Sequence, residues 1–218
     1  GFYTNLFQNK VEVSVEGYYK QMENYLDYKS GAVLVMNRNL AADVVQTQGK
    51  AYGVEFMLKK PLGKLNGWLA YTWSKTQLRE VGDRGNMAIN GGKWYDAAYD
   101  KPHDLKLVAN YKFTQRISLS VNGDYATGRP ITIPVAKYQY DGATKLYYSE
   151  RNSHRIPDYF RIDVAMNFDP THRLDAFTHF SFTVGVYNVT GRKNVYSIYF
   201  DTNSAGEVKG HKLCIFGA

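Results

Sequence analysis

The sequence predicts an all-β chain: an antiparallel up-and-down sheet belonging to a transmembrane β-barrel, present as a fragment of about seven to eight strands. Three observations predict it. Apolar and polar residues alternate with period two in seven segments, the spacing of a strand with one wet and one dry face. The links between these segments are short and long in turn. Aromatic residues collect at both ends of the apolar face.

The segments follow in chain order. "VEVSVEGYY" places Val11, Val13, Val15 and Tyr19 on one face, "YGVEFML" places Tyr52, Val54, Phe56 and Leu58, and "LNGWLAYTW" places Leu65, Leu69, Tyr71 and Trp73. The stretch "KLVANYKFTQRISLSVNGDY" contains two runs. Leu107, Ala109, Tyr111 and Phe113 alternate with polar residues, and after Thr114–Arg116 the pattern restarts as Ile117, Leu119, Val121 and Tyr125. That is an antiparallel hairpin. "FRIDVAMNF" gives Phe160, Ile162, Val164, Met166 and Phe168, and "FSFTVGV" gives Phe180, Phe182, Val184 and Val186.

The connections decide which face is wet. Pro61–Lys64, Thr114–Arg116 and Asp169–His179 are short or modest, whereas 21–48, 77–102, 127–158 and 190–212 each exceed 20 residues. In an up-and-down sheet alternate links share one rim, so all the long loops project from the same end. Outer-membrane barrels have this asymmetry of short turns and long surface loops. With the long loops outside, Tyr19, Tyr52, Tyr71, Trp73, Tyr125 and Phe160 sit near the outer rim. Tyr111, Phe113, Phe168 and Phe180 sit near the inner one, with aliphatic residues between. Two aromatic bands around an aliphatic belt match the girdles of a membrane barrel. Ser14, Glu16, Thr72, Ser74, Asn110, Asn122, Asp124 and Asn167 then face a wet lumen.

Composition excludes several classes. The 27 Lys and Arg against 20 Asp and Glu give a formal charge of +7 spread along the chain, which reads as a solvated surface and not as a nucleic-acid groove. One cysteine, Cys214, excludes an internal disulfide and a cysteine-based metal cluster. The five histidines, His103, His154, His172, His179 and His211, stand at no joint-ligation spacing. Neither a phosphate-cradling loop nor a nucleophile elbow appears. The sequence therefore predicts no cofactor, no metal and no catalytic residue.

Several stretches resemble one family. "GKAYGVEFMLKKPLGKLNGWLAYTWSKT", "NGGKWYDAAYDKPHDLKL" and "GVYNVTGRKNVYSIYF" are similar to hairpin, loop and late-strand motifs of TonB-dependent outer-membrane receptors, of the Bacteroidetes type. Lys101 and Pro102 stand where two arginines are common in that motif. The resemblance implies that residues 1–218 belong to one outer-membrane barrel domain whose plug domain and terminal strand lie outside this chain. It implies residence in the bacterial outer membrane and active uptake of a siderophore, cobalamin, glycan or peptide. The implied partners are outer-membrane lipid, the TonB complex acting through the plug, the nutrient and, in some receptors, a surface lipoprotein. Two other readings compete: an adhesin or enzyme on a small outer-membrane barrel, and a soluble β-barrel carrier with its apolar face enclosed.

Candidate ligand contacts lie in the long loops. Trp94, Tyr95, Tyr99, Tyr138, Tyr140 and Arg151, with Tyr147 and Tyr148 beside them, gather aromatic and cationic groups on one rim. Such groups stack on and grip polar ligands at low entropic cost. The same residues would also suit loops that merely pack on one another.

Overall fold

The computed structural model describes residues 1–32, 38–82, 84–169, 180–202 and 207–215. Eight strands form one antiparallel path in chain order: β1 (Phe2–Leu6), β2 (Val11–Tyr28), β3 (Val44–Lys60), β4 (Leu65–Glu80), β6 (His103–Lys112), β7 (Ile117–Ala126), β12 (Tyr159–Phe168) and β13 (Phe182–Val186). A ninth, β5 (Tyr95–Asp96), pairs with β4 beyond the end of β6. Three two-stranded ladders complete the chain. They are β8 (Pro130–Ile131) with β11 (His154–Arg155), β9 (Pro134–Tyr140) with β10 (Ala143–Tyr148), and β14 (Asn194–Thr202) with β15 (Val208–Ile215).

All seven predicted segments are strands of the main path, and the register confirms which residues share a face. One row runs Val15–Phe56–Tyr71–Leu105–Tyr125–Phe160, and another runs Leu69–Leu107 beside Val13–Leu58. Val121 lies between Ala109 and Val164, and Val164 pairs onward with Val186. On the opposite face Ser120 stands between Asn110 and Ala165, and Asn122 between Val108 and Asp163. The apolar face is not enclosed: Val54, Leu107, Met166 and Val184 are all exposed. A soluble carrier would bury that row, so the architecture is an open wall with a greasy side and a polar side.

Aromatic contacts mark the two edges of the greasy belt. Tyr19 stacks on Tyr52 at 6.4 Å between ring centres and Tyr52 meets Trp73 at 6.0 Å near the long-loop end. Tyr111 meets Phe113 edge-on at 5.0 Å and Phe168 meets Phe182 at 6.2 Å near the short-turn end.

The structure corrects the element boundaries. β1 is a strand that the sequence reading omits, joined to β2 by a tight turn in which Phe7, Gln8 and Asn9 all have positive φ. That turn shares the short-turn end, so it extends the alternation of loop lengths. Residues 21–48 are ladder at both ends: β2 runs on to Tyr28 and β3 begins at Val44. Beyond the girdle both faces carry amides and charges, so the amphipathic signal fades while backbone pairing persists. A bulge also breaks the alternation there. From Met22 to Tyr25 β2 advances three residues while β3 advances from Gly49 only to Thr47, and Asn24 takes φ 55°. The span 190–212, expected as a loop, is largely the β14–β15 hairpin. The turn expected at Asp169–His179 falls on residues 170–179, outside the described ones.

Two glycines permit close approach. A Cβ on Gly67, at φ 147°, would lie 2.0 Å from the Val108 carbonyl oxygen. One on Gly53 would lie 2.5 Å from the Trp73 carbonyl oxygen and 3.0 Å from the Tyr18 hydroxyl, which crosses it on the polar face.

The two faces should respond oppositely to charge. In the full-length receptor Val121→Lys, on the apolar face, should cost about 2–4 kcal/mol, and Asn122→Lys, one residue on, less than about 1 kcal/mol. Urea unfolding in lipid vesicles measures both, and equal costs would place the two side chains in one environment.

Candidate functional site

The polar face of the wall and the loops above it form the candidate site. Along the wall, several charges are paired and amides bridged. Lys59 Nζ is 3.1 Å from Glu12 Oε2, Arg161 Nε is 2.7 Å from Asp163 Oδ1, and Lys106 Nζ is 3.9 Å from Asp104 Oδ1. Asn167 donates to Ser120 Oγ at 3.0 Å and accepts from Thr183 Oγ1 at 2.9 Å. Such a face holds water against the wall and presents little unbalanced charge.

At the long-loop end the segment 81–102 folds over this polar face. Leu78, Ile89, Tyr95 and Ala97 form a buried cluster, with Met22, Tyr25 and Val45 packed against it. The alternation of β5 explains how: Tyr95 pairs with Leu78 and points inward, and its hydroxyl donates to Asp27 Oδ2 at 2.7 Å. Burial first, then the bond to Asp27, pushes the Tyr95 phenol far above the ordinary tyrosine range. Glu80, 5 % exposed, accepts the Ile89 N–H at 2.7 Å and pairs with Arg84 at 2.9 Å.

A second set of bonds ties this segment to the next long loop. Asp100 is 2 % exposed; its carboxylate accepts the Thr76 N–H at 2.6 Å and Arg155 Nη2 at 2.5 Å, with Lys75 Nζ at 3.8 Å. Asp96 accepts Lys75 at 2.7 Å and Arg155 at 2.8 Å. Arg155 also donates to the Asp100 and Gly128 carbonyls, and Asn152 donates to the Asp96 carbonyl at 2.7 Å. Arg151 spans Asp27, at 3.3 Å, and the Tyr28 carbonyl, while Asn90 accepts its N–H at 2.7 Å. The two loops are thus one clasped unit seated on β2, β3 and β4.

The six predicted ligand contacts divide. Tyr95 and Arg151 belong to this packing. Trp94 is half-buried, with Lys50 Nζ 4.4 Å and the Arg79 guanidinium 5.0 Å from its ring centre. Tyr99 is 52 % exposed and stands at the lip of two open depressions on the polar face. One, of about 400 Å³, is lined by Glu16, Tyr18, Lys20, Glu55 and Thr76; the other, of about 460 Å³, by Thr72, Ser74, Lys101 and Lys106. Partial burial and its hydrogen bond with Tyr25 push the Tyr99 phenol up to about 12. Tyr138 and Tyr140 project from the β9–β10 hairpin and share a face with Tyr147, since Tyr138 opposes Lys145 and Ala136 opposes Tyr147. They are not brought to Tyr99 by any described contact.

Lys75, Glu80, Asp96, Asp100 and Arg155 were missed by the sequence reading. Two aspartates four apart in "WYDAAYD" were the available signal. Their cation lies 55 residues from Asp100, beyond what spacing can reveal.

Asp100→Ala would leave Thr76 N–H unpaired and Lys75 and Arg155 sharing Asp96 alone. The clasp should loosen by about 1–3 kcal/mol, read as protease cleavage within 81–102 while the strands stay intact; undiminished protection would refute the clasp. Alkali should act on the same segment. Tyr99, raised from 10.0 to about 12, stabilises the loop only while neutral. Its contribution is therefore whole below pH 10 and lost between 10 and 12, an effect that hydrogen exchange in Tyr99→Phe should not show.

Comparison with known proteins agrees with this wall. Residues 1–189 match the family described as TonB dependent receptor-like, beta-barrel. No curated protein matches the chain. Among solved structures, the ferripyoverdine receptor of the outer membrane of Pseudomonas aeruginosa, bound to ferripyoverdine, aligns with a TM-score of 0.53 at 13 % identity. The alignment covers 95 % of this chain and 24 % of that one, so the chain spans about a quarter of that receptor's length. At that identity the likeness is one of fold. The chain belongs to the TonB-dependent receptor β-barrel family, and its wall stands in the bacterial outer membrane.

Proposed function

We propose that the chain is the wall and part of the mouth of a transporter that takes up a nutrient actively, and that its plug domain and closing strand lie elsewhere in the receptor. The observation that carries this reading is the clasped loop unit folded over a hydrated, charge-balanced polar face. It offers a ligand a rigid rim above a wet path.

In this reading Tyr99, Tyr138 and Tyr140 touch the ligand, and Trp94, Tyr95 and Arg151 hold the rim in shape. A ligand leaving Tyr99 meets the hydroxyls of Thr72, Ser74 and Thr76 and the charges of Glu16, Lys20 and Glu55. These groups exchange hydrogen bonds with a polar solute as readily as with water, so no deep well traps it on the wall. Force from the TonB complex, delivered through the plug, opens the route. Siderophore, cobalamin, glycan and peptide ligands all suit a wall of this kind, because the loops and not the fold select among them. A surface lipoprotein cooperating at the rim is compatible with the exposed β9–β10 hairpin. The Bacteroidetes branch rests on the quoted motifs.

Cells lacking the full-length receptor should lose growth on one of these nutrients supplied scarcely. Wild-type receptor should restore it only in the presence of TonB. Tyr99→Ala with Tyr138→Ala should weaken ligand binding about tenfold through lost aromatic contact. Uptake that persisted without TonB would reject energised transport, and unaltered affinity would remove both tyrosines from the site.

A further inference from the structure

The outward side of β3 and β4 changes character above the aromatic girdle. By register, Tyr52 lies opposite Lys75, Lys50 opposite Gln77, and Gln48 opposite Arg79, while Gln21 of β2 lies opposite Lys50. These residues continue the face that carries Val54, Phe56, Trp73 and Tyr71 lower down. Apolar side chains thus give way, within two residues of Tyr52, to amides and cations. Two residues of strand are about 7 Å, the step from the interfacial ring layer into the headgroups.

Trp94 lies on the same side. Within the short ladder Tyr95 turns inward onto Leu78, whereas Asp96 reaches Lys75 and Gln77, both outward. Trp94 precedes Tyr95 and alternates with it, and its ring lies against Lys50 and Arg79. The Gln48 carboxamide, turned so that its oxygen faces the guanidinium, accepts Arg79 Nε at 2.8 Å and fixes the head. Asp96, the carboxylate on this outward patch, already pairs with Lys75 and Arg155. Among the described residues no carboxylate lies within ion-pair distance of Lys50 or Arg79.

We propose that Lys50, Arg79 and Trp94 form a binding site on the outer perimeter of the barrel for the phosphate of an outer-leaflet lipid headgroup. Two cations held against one indole ring, with no counter-charge of their own, repel each other until an anion joins them. A phosphate group meets this need: the guanidinium offers paired N–H donors and the ammonium a point charge. The lipid supplies it, in preference to dissolved phosphate, because the site stands directly above the girdle formed by Tyr19, Tyr52 and Trp73. An acyl chain descending from the headgroup would run along Val54 and Phe56. The ligand is therefore amphiphilic, with its charge at Lys50 and Arg79 and its chains on the belt. This assignment depends on membrane residence alone and stands apart from the nutrient reading.

The test uses the full-length receptor in neutral detergent and native mass spectrometry, with phosphorylated lipid A, the same lipid stripped of phosphate, and inorganic phosphate as probes. Wild type should retain phosphorylated lipid A, release the stripped lipid, and hold its lipid against excess inorganic phosphate. Lys50→Gln with Arg79→Gln should weaken retention about 30-fold, from about fivefold per interfacial cation, with heat-dependent gel mobility as the check on folding. Lys50→Arg with Arg79→Lys should keep the lipid. Equal retention of both lipids, displacement by inorganic phosphate, or unchanged retention in the double glutamine variant would each overturn the proposal. Should that variant not fold, wild type's choice between the two lipids decides.

Discussion

A strand in hydrocarbon has no water to satisfy its amides, so every N–H and C=O in the belt must pair with the next strand. The rest of this structure follows from that requirement. Below the bulge at Met22–Tyr25 the antiparallel ladder keeps one register across the wall from β1 to β13. Once the register is set, every side chain in it is assigned to lipid or to lumen, because a slip of one residue would invert both faces. Gly53 and Gly67 serve the same constraint, since the strands approach there so closely that a side chain would strike a neighbouring carbonyl.

Where the wall rises past the membrane, ladder partners run out and side chains replace them. Asp100 takes the Thr76 N–H, Glu80 that of Ile89, Asp158 that of Gly128, and the Asn194 carboxamide bonds both the N–H and the carbonyl of Phe160. The Gly128 N–H, helped by the Tyr125 hydroxyl and Arg192, holds the Asp158 carboxyl below the usual carboxylate range. These bonds fasten the segments above the wall to the upper parts of its strands. The rim is ordered by the same accounting of backbone groups as the belt, with carboxylates and an amide in place of a neighbouring strand.

The sequence disclosed the belt well and the rim poorly, for one physical reason. In the belt the two sides meet different solvents, so selection of side chains has period two and can be read directly. Above the girdle both sides meet polar surroundings, headgroups or water, and Gln46, Gln48 and Gln77 do not advertise which way they face. The strand extensions Gln21–Tyr28 and Val44–Ala51 were hidden for that reason, with the bulge near Asn24 breaking what alternation remained. β1 was hidden differently: five residues are too few for alternation to stand out. The clasp was invisible because Asp96 and Asp100 are neighbours in sequence while Arg155 arrives from another loop.

Aromatic density in the loops was the one rim signal the sequence offered, and the structure resolves it into three physical demands. Tyr95 is a buried ring whose hydroxyl must find Asp27, Trp94 is an outward ring between two cations, and Tyr99 is an exposed ring over the polar face. Adjacent positions serve opposite sides because β5 alternates like any strand, so "WY" cannot be treated as one patch. A ring is available to a solute in the lumen only if it is inward and uncovered at once. Trp94 fails the first condition and Tyr95 the second. Tyr99 meets both because the chain leaves β5 at Asp96 and turns before Asp100 is anchored, which frees that side chain from the alternation and lets it overhang the path.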